Sequence, residues 1–392
     1  MRIRRIFFWL HLSAGSTAGL VILVLSFTGV LLAYQSQIIA WAERDQRFVE
    51  SRADAARLRL EIILARVRQA ESATLTNVAW HPEPNSTVEL GFGRERTLFA
   101  NPYTGSVIGE GAPGARRFFR NVGEWHRWLA ASISGRAITR PIVDAANLLF
   151  FFLVGSGFYL WWPKSWSAPV IGAITWFRRG LTGKARDFNW HNTIGFWCCV
   201  PLFVIVLCSV VMSYQWADNL VYRIAGSPIP GAQGVIRISI EGRNSQVVAV
   251  TEGLDALAMR AEFKTTDWRS ISLRLPTAKE HAAVFTIDAG NGGQPALRST
   301  LTLDRKTAAE LTWEPHSSLS RGRRWRSWMR FAHTGEVFGI LGQTVATIAS
   351  LGAVFLVYTG LAMALRRLFN SLATRKSRST APIAAPLETK RY

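Results

Sequence analysis

The chain has 392 residues, 49% of them apolar, and a formal net charge of +20 at pH 7. Its apolar residues are bunched in long uncharged runs, which excludes an ordinary soluble protein. Clusters of basic residues flank these runs, as expected for contact with anionic lipid, so the charge does not indicate a nucleic-acid partner.

Four apolar runs are long enough to cross a bilayer, which requires about 20 residues of helix. Residues 7–42, 188–217 and 337–365 carry no Asp, Glu, Lys or Arg, and 141–163 carries only Asp144. We predict spans at roughly 14–34, 143–163, 194–216 and 342–364. The first run is long and lacks a convincing cleavage site, so we expect an uncleaved anchor rather than a secretion signal.

The basic residues of the short segments predict the orientation of the spans, because cytoplasmic loops are enriched in Lys and Arg. Such residues are frequent in 1–5, 164–187 and 366–392. We therefore expect these segments in the cytoplasm of a bacterium, with the chain in the inner membrane. The long segments 35–140 and 217–336 are then periplasmic.

The predicted fold class is a mainly α membrane protein, a four-helix transmembrane bundle with two small α+β periplasmic domains. The expected order is a cytoplasmic N-terminus with span 1 (1–34), periplasmic domain 1 (35–122), an interfacial helix with span 2 (123–163), a cytoplasmic loop (164–190), span 3 (191–216), periplasmic domain 2 (217–328), an interfacial helix with span 4 (329–365), and a basic cytoplasmic tail (366–392).

The long segments mix helical and strand-like patterns. Apolar spacing predicts helices at 54–71 and 252–263. Strand-like stretches occur at 77–80, 87–92, 235–240, 246–250, 268–275, 283–288 and 299–303. A strand, a turn and a strand are indicated at 98–108, and 301–311 resembles that stretch.

The two halves of the chain share one order of features, which predicts a duplicated two-span unit. One histidine begins each outgoing span and another precedes each returning span. These histidines are His11, His126, His191 and His333. Gly15 and Gly195 each follow a span-opening histidine by four positions.

Histidine in or beside hydrocarbon is costly, so it is rare unless it binds something or lines a pathway. A single such residue is equally explained by a hydrogen bond across helices or by a place at the headgroups. A repeated set instead suggests that each half provides one axial ligand to a shared b-type haem. We predict an inner haem iron between His11 and His191, and an outer one between His126 and His333.

Gly15 and Gly195 favour this interpretation, since residues four apart share a helix face and glycine leaves room for a flat macrocycle. Close helix packing through small residues is the competing explanation. Cations suit the haem carboxylates, although headgroup binding would use them equally. For the outer site these are Arg127, Arg136 and Arg140. Possible substrate contacts are His316, Arg321, Arg323 and Arg324.

Several strings resemble the PepSY-associated transmembrane family, and the likeness covers nearly the whole chain. They are Asn101-Pro-Tyr-Thr-Gly105, Trp125-His-Arg-Trp-Leu129, Gly157-Phe-Tyr-Leu-Trp-Trp-Pro163 and Trp190-His-Asn-Thr-Ile-Gly195. Within that family the chain is similar to bacterial siderophore reductases of the ferrioxamine-utilisation type. The resemblance implies four spans, two PepSY-like domains, and two b-type haems that the four histidines bind.

The same resemblance implies a ferric-siderophore reductase that passes single electrons outward to a periplasmic ferric siderophore. Ferrous iron is held less tightly by hard oxygen ligands, so reduction releases it. The sequence contains no recognisable dinucleotide fingerprint or flavin domain, so we expect a cytoplasmic partner or a quinol to supply electrons.

Two other classes of function remain open from the residues. A non-redox module would use PepSY-like domains to restrain a peptidase or to sense an envelope signal, with interfacial histidines. A metal transporter would need carboxylates within the spans, and Asp144 is the one acid in or beside them. We rank the transporter last.

Overall fold

A computed structural model describes residues 2–51, 55–93, 96–230, 253–277 and 279–379 of the chain. The helices of this part are α1 Arg2–Leu32, α2 Gln35–Ala42, α3 Arg44–Arg47, α4 Leu60–Ala70, α5 Pro113–Trp128, α6 Arg136–Trp161, α7 Ala168–Thr175, α8 Gly183–Ser213, α9 Gln215–Ile224, α10 Leu254–Glu262, α11 Arg321–Thr334 and α12 Gly339–Ser379. The strands are β1 Asn77–Trp80, β2 Val88–Phe92, β3 Arg96–Ala100, β4 Val107–Glu110, β5 Ser270–Arg274, β6 Ala282–Asp288, β7 Arg298–Asp304 and β8 Glu310–Glu314.

Four helices are long and apolar enough to cross a membrane, namely α1, α6, α8 and the helical stretch 336–371 that contains most of α12. They coincide with the four predicted spans. The third helix starts at Gly183, earlier than expected, and so includes Lys184 and Arg186 of the predicted loop. The chain is therefore a multi-pass membrane protein.

The chain divides into two compact units. The helical unit comprises 1–27, 145–203 and 348 onward, and the sheet unit comprises 28–144 and 204–347. In the helical unit, Ala18 and Ile22 of α1 pack on Ala146 of α6.

The sheet unit contains one eight-stranded antiparallel sheet in the order β4-β3-β2-β1-β5-β6-β7-β8. Each long segment provides four strands, and β1 pairs with β5 through partners such as Val78 and Leu273. The sequence instead predicts two separate modules. They merge because β1 and β5 would otherwise be the unpaired edges of two four-stranded sheets.

A single core lies between the sheet and helices α4 and α10. Leu64 of α4, Leu257 of α10 and Phe285 of β6 are all fully buried in it. The two helices also cap each other. The N–H of Glu61 donates to Asp255 Oδ1 at 2.9 Å, and the N–H of Asp255 donates to Glu61 Oε1 at 3.1 Å. Each carboxylate thus satisfies an N-terminal amide of the facing helix.

Both predicted strand-turn-strand stretches form hairpins, β3–β4 and β7–β8. Asn101 Oδ1 accepts the N–H groups of the first turn, and Asp304 Oδ1 accepts those of the second. Such side-chain contacts are typical of Asn and Asp in turns. Among the described residues, each half contains a span, two or three short helices, four strands, a histidine-bearing helix and a second span, in that order.

Some sequence predictions change in detail or lie outside the described residues. The helix expected at 54–71 begins only at Leu60, because the N–H of Leu58 donates to the carbonyl of Pro102 instead of joining a helix. The stretches 235–240 and 246–250 lie outside the described part of the chain.

The predicted loop 164–190 contains the apolar helix α7. The indole N–H of Trp197 donates to the carbonyl of Thr175 at 2.8 Å, and the amide of Asn189 donates to Ala173 and Trp176 at 3.2 Å. Side chains of α8 therefore cap the C-terminal end of α7 and hold α7 in place within the helical unit.

Candidate functional site: two histidine pairs

The helical unit brings His11 of α1 and His191 of α8 together. Their ring centres lie 6.4 Å apart with an interplanar angle of 85°. Two metal–imidazole bonds of about 2 Å, plus about 1 Å from each bonded nitrogen to its ring centre, place two axial rings roughly 6 Å apart. The spacing of His11 and His191 therefore fits one metal ion between the rings.

Hydroxyl groups of the returning helices fix both rings. Thr359 Oγ1 donates to the carbonyl of Phe355 at 2.8 Å, so it accepts from the Nδ1–H of His191, which lies 2.9 Å away. Ser156 Oγ lies 2.9 Å from Nδ1 of His11. A metal-bound histidine commonly donates its other N–H to an oxygen, which leaves the Nε2 lone pair for the metal.

A glycine follows each of these hydroxyl residues and gives the imidazole room. A Cβ on Gly157 would lie 3.3 Å from Cε1 of His11, and one on Gly360 would lie 3.4 Å from Cε1 of His191. The sequence alone does not predict that these four residues orient the imidazoles. The available signal was the matching dipeptides Ser156-Gly157 and Thr359-Gly360 at equivalent places in the two returning spans.

A cavity of about 710 Å³ adjoins His11 and His191 within the helical unit. This volume lies within the range of about 300–1,000 Å³ that is usual for small-molecule sites. Gly15 and Gly195 both line it. A Cβ on either glycine would meet its nearest leucine at 3.8 or 3.7 Å, an ordinary contact. Close helix packing therefore does not require these glycines, and their effect is to widen the cavity.

Four basic side chains also line this cavity: Arg4, Arg5, Lys184 and Arg367. Arg4 donates to the carbonyl of Leu160, and the guanidinium of Arg367 lies 4.6 Å from the ring centre of Trp9. From the sequence alone, such residues are expected only to anchor the chain to anionic lipid. Their position beside an otherwise apolar cavity also suits the carboxylates of a bound macrocycle.

The sheet unit contains the second pair. The ring centres of His126 on α5 and His333 on α11 lie 6.2 Å apart, with an interplanar angle of 55°. Nδ1 of His333 donates to the carbonyl of Ile205 at 2.9 Å, and Nδ1 of His126 lies 2.9 Å from Thr28 Oγ1. Burial lowers the pKa of His333, so its ring is neutral at pH 7, as a metal ligand must be.

The arginines predicted for the outer site lie on or beside α5 and α6 and are all engaged. Arg127 donates to the carbonyl of Gly123 at 3.2 Å on its own helix. Arg136 pairs with Glu124 at 2.6 Å, and Arg140 lies 3.8 Å from Asp144. The contacts of Arg136 and Arg140 hold the start of α6. That the three arginines bind a cofactor stays a prediction.

Three of the four predicted substrate contacts meet in one place. His316, Arg321 and Arg324 line a second cavity, of about 720 Å³, in the sheet unit. Arg323 does not line it, because its side chain pairs with Glu314 at 2.7 Å on the other side of α11. Arg323 is therefore separate from the other three residues in the described structure.

Other metal-binding arrangements are not found among the described residues. There, no group of three or more His, Cys, Asp or Glu side chains is placed to hold an ion. The cysteines are free, and the buried Cys198 packs closely against Gly352 of α12. Cys198 is thus a small packing residue, as its place in an apolar run predicts.

The family model described as PepSY-associated TM region matches residues 8–367 of the chain. This range covers most of the chain and includes all four paired histidines. A comparison with curated proteins finds no match.

Proposed function

The chain belongs to the PepSY-associated TM region family, and we propose that it is a di-haem electron carrier of the bacterial inner membrane that reduces ferric siderophores in the periplasm. The observation that carries this proposal is the spacing of the two histidine pairs, 6.4 and 6.2 Å between ring centres. Both values match two imidazoles on opposite sides of one metal ion.

The residues around the first pair fit a haem. Ser156 and Thr359 hold the rings in one tautomer, while Gly15 and Gly195 widen an apolar cavity of suitable volume. The basic side chains that line the cavity would bind the haem carboxylates. A haem held by two imidazoles supplies reversible one-electron transfer and has no open position for oxygen.

In the second pair, His126 and His333 would hold the other haem. The carbonyl of Ile205 accepts the Nδ1–H of His333, so Nε2 of that ring keeps its lone pair. Arg127, Arg136 and Arg140 remain the proposed partners of its carboxylates, and Arg136 would have to share its interaction with Glu124.

The proposed direction of electron flow rests on the orientation that the basic segments predict, with His11 and His191 on the cytoplasmic side. A cytoplasmic donor or a quinol is oxidised by one electron for each ferric ion reduced. The ferric complex accepts that electron, and its oxygen ligands then release ferrous iron. This single-electron step breaks no covalent bond of the siderophore.

Anaerobic reoxidation tests the electron transfer. The purified chain is reduced, freed of reductant, and mixed with ferric hydroxamate or ferric carboxylate complexes while the reduced haem bands are followed. We expect rapid loss of these bands and formation of a ferrous chelate in equal amount. If ferricyanide reoxidises the protein but no ferric chelate does, the protein is a cytochrome without this substrate class.

A further inference from the structure

The cavity beside α11 is lined by six residues: His316, Arg321, Arg324, Trp325, Trp328 and Met329. The last five lie on one face of α11, since they are spaced three and four positions apart. We infer that this cavity binds ferric complexes of net negative charge, with carboxylate or phenolate ligands, in preference to neutral or cationic trihydroxamates. This inference rests on the proposed function, because it names the class of electron acceptor.

Side-chain partners along α11 distinguish the two cavity arginines from the other three: two of those three pair with an acid, and the third lies over an aromatic ring. Of the five arginines between 321 and 330, three are engaged elsewhere and two line the cavity. The engaged ones are Arg323 with Glu314 at 2.7 Å, Arg326 with Asp218, and Arg330 over the ring of Phe331 at 5.0 Å.

The two cavity arginines, Arg321 and Arg324, form no ion pair with any residue that the structure describes. Two guanidinium groups on adjacent turns attract an anion, and their planar N–H groups suit carboxylate or phenolate oxygens. A complex of net positive charge would be repelled by the same groups. The positive charge of the cavity therefore favours anionic ferric chelates over cationic ones.

His316 adds a neutral hydrogen-bonding group to this wall. Burial and the nearby Arg324 both lower the pKa of His316, so the imidazole is uncharged at pH 7. It can donate one hydrogen bond to a ligand oxygen and accept another. The cavity thus offers two cations and one polar neutral ring.

The indoles indicate an organic ligand rather than a simple inorganic ion. Trp325 and Trp328 are 46% and 40% exposed, although both are large apolar side chains. Exposed aromatic residues beside arginines are typical of binding surfaces, where they cover the apolar parts of a ligand. The carbon skeleton of a chelator would occupy this part of the cavity.

The cavity also lies close to a proposed haem ligand. Met329 lines it and precedes His333 by four positions on the same helix, a rise of about 6 Å. A complex held beside Met329 is therefore roughly one helical turn from the second histidine pair. This proximity favours a role in electron acceptance over unrelated anion binding.

Binding of redox-inert gallium(III) complexes tests the inference without any electron transfer. Gallium(III) citrate serves as the anionic complex and gallium(III) desferrioxamine as the cationic one. Calorimetry uses the full chain in nanodiscs of zwitterionic lipid. We expect tighter binding of the citrate complex, weakened by raising salt from about 0.05 to about 0.5 M.

The variants Arg321→Gln and Arg324→Gln should each weaken citrate-complex binding about 10-fold or more, as expected for loss of a charged hydrogen bond. Arg323→Gln is the matched control, since it removes the same charge from the same helix outside the cavity. We expect it to change the affinity less than about two-fold at moderate salt.

Equal affinity for both complexes, or equal effects of the three variants, would overturn the inference. So would arginine-dependent binding of phosphatidylglycerol without any binding of gallium complexes, which would make the cavity a lipid headgroup site. The proposed function fails separately. A haem-free protein that still binds the citrate complex would support the binding site and refute the proposed electron transfer. A haem protein that reduces both kinds of chelate equally would support electron transfer and refute the selectivity of the site.

Discussion

Thr359 accepts the Nδ1–H of His191 at 2.9 Å and donates its own hydroxyl proton to the carbonyl of Phe355 at 2.8 Å. The backbone of α12 thus determines the tautomer of a histidine on α8. Ser156 Oγ lies 2.9 Å from Nδ1 of His11, and its contact with the carbonyl of Leu153 is longer, at 3.4 Å. If these rings bind iron, the two hydroxyls control how firmly they do so.

Thr359→Val should reduce the haem affinity of the first pair about 10-fold to 100-fold, because the buried Nδ1–H loses its acceptor. Haem transfer to apomyoglobin measures that affinity. Thr347→Val on the same helix is the control, since the hydroxyl of Thr347 contacts only the carbonyl of Gln343 among the described residues. Equal loss from both variants would contradict a specific role for Thr359.

Gly157→Ala should disturb the first pair, because the added methyl would lie 3.3 Å from Cε1 of His11. We expect lower haem content and a changed low-spin EPR signal. Gly155→Ala on the same helix is the control, since its added Cβ meets nothing within 4 Å. That control should keep its spectrum and stabilise α6 by up to about 1 kcal/mol. Unchanged spectra in both variants would show that the ring has room to move.

Glu43→Ala should loosen α5 and with it the second histidine pair. Glu43 is fully buried, pairs with Arg116 and Arg47, and accepts the N–H of Ala112 at the start of α5. Breaking a buried ion pair costs about 3–5 kcal/mol. We expect a lower melting temperature and faster hydrogen exchange in α5. Glu50→Ala, at an exposed position, should have neither effect. Equal losses of stability in the Glu43 and Glu50 variants would contradict this role of Glu43.

Asp255→Ala should destabilise the packing of α4 on α10 by about 1 kcal/mol, the usual effect of losing a helix cap. The N–H of Glu61 loses its acceptor, so its hydrogen exchange should accelerate. Each single change removes one of the two hydrogen bonds, since the other is donated by a backbone N–H that alanine retains. A double variant with Glu61→Ala should be less than additive, because loss of either bond loosens the approach of the two helix ends on which the remaining bond depends. Full additivity would mean that the two caps are independent.

The pairing of the histidines could be predicted from the sequence because both halves present one at the same point of a repeated pattern. Ser156 and Thr359 could not be assigned, since they reach rings 145 and 168 positions away. The single sheet also escaped prediction, because local alternation does not reveal that β1 pairs with β5. Likewise, only the ion pair with Glu314 shows that Arg323 lies outside the cavity.

Haem content tests the central proposal most directly. Pyridine haemochrome assays on folded, monodisperse protein should give about two haems per chain for wild type and about one for His11→Ala or His333→Ala, since each iron needs both of its imidazoles. His281→Ala, outside both pairs, should retain the wild-type value. A folded wild-type protein without colour, from cells supplied with haem precursor, would contradict the proposal.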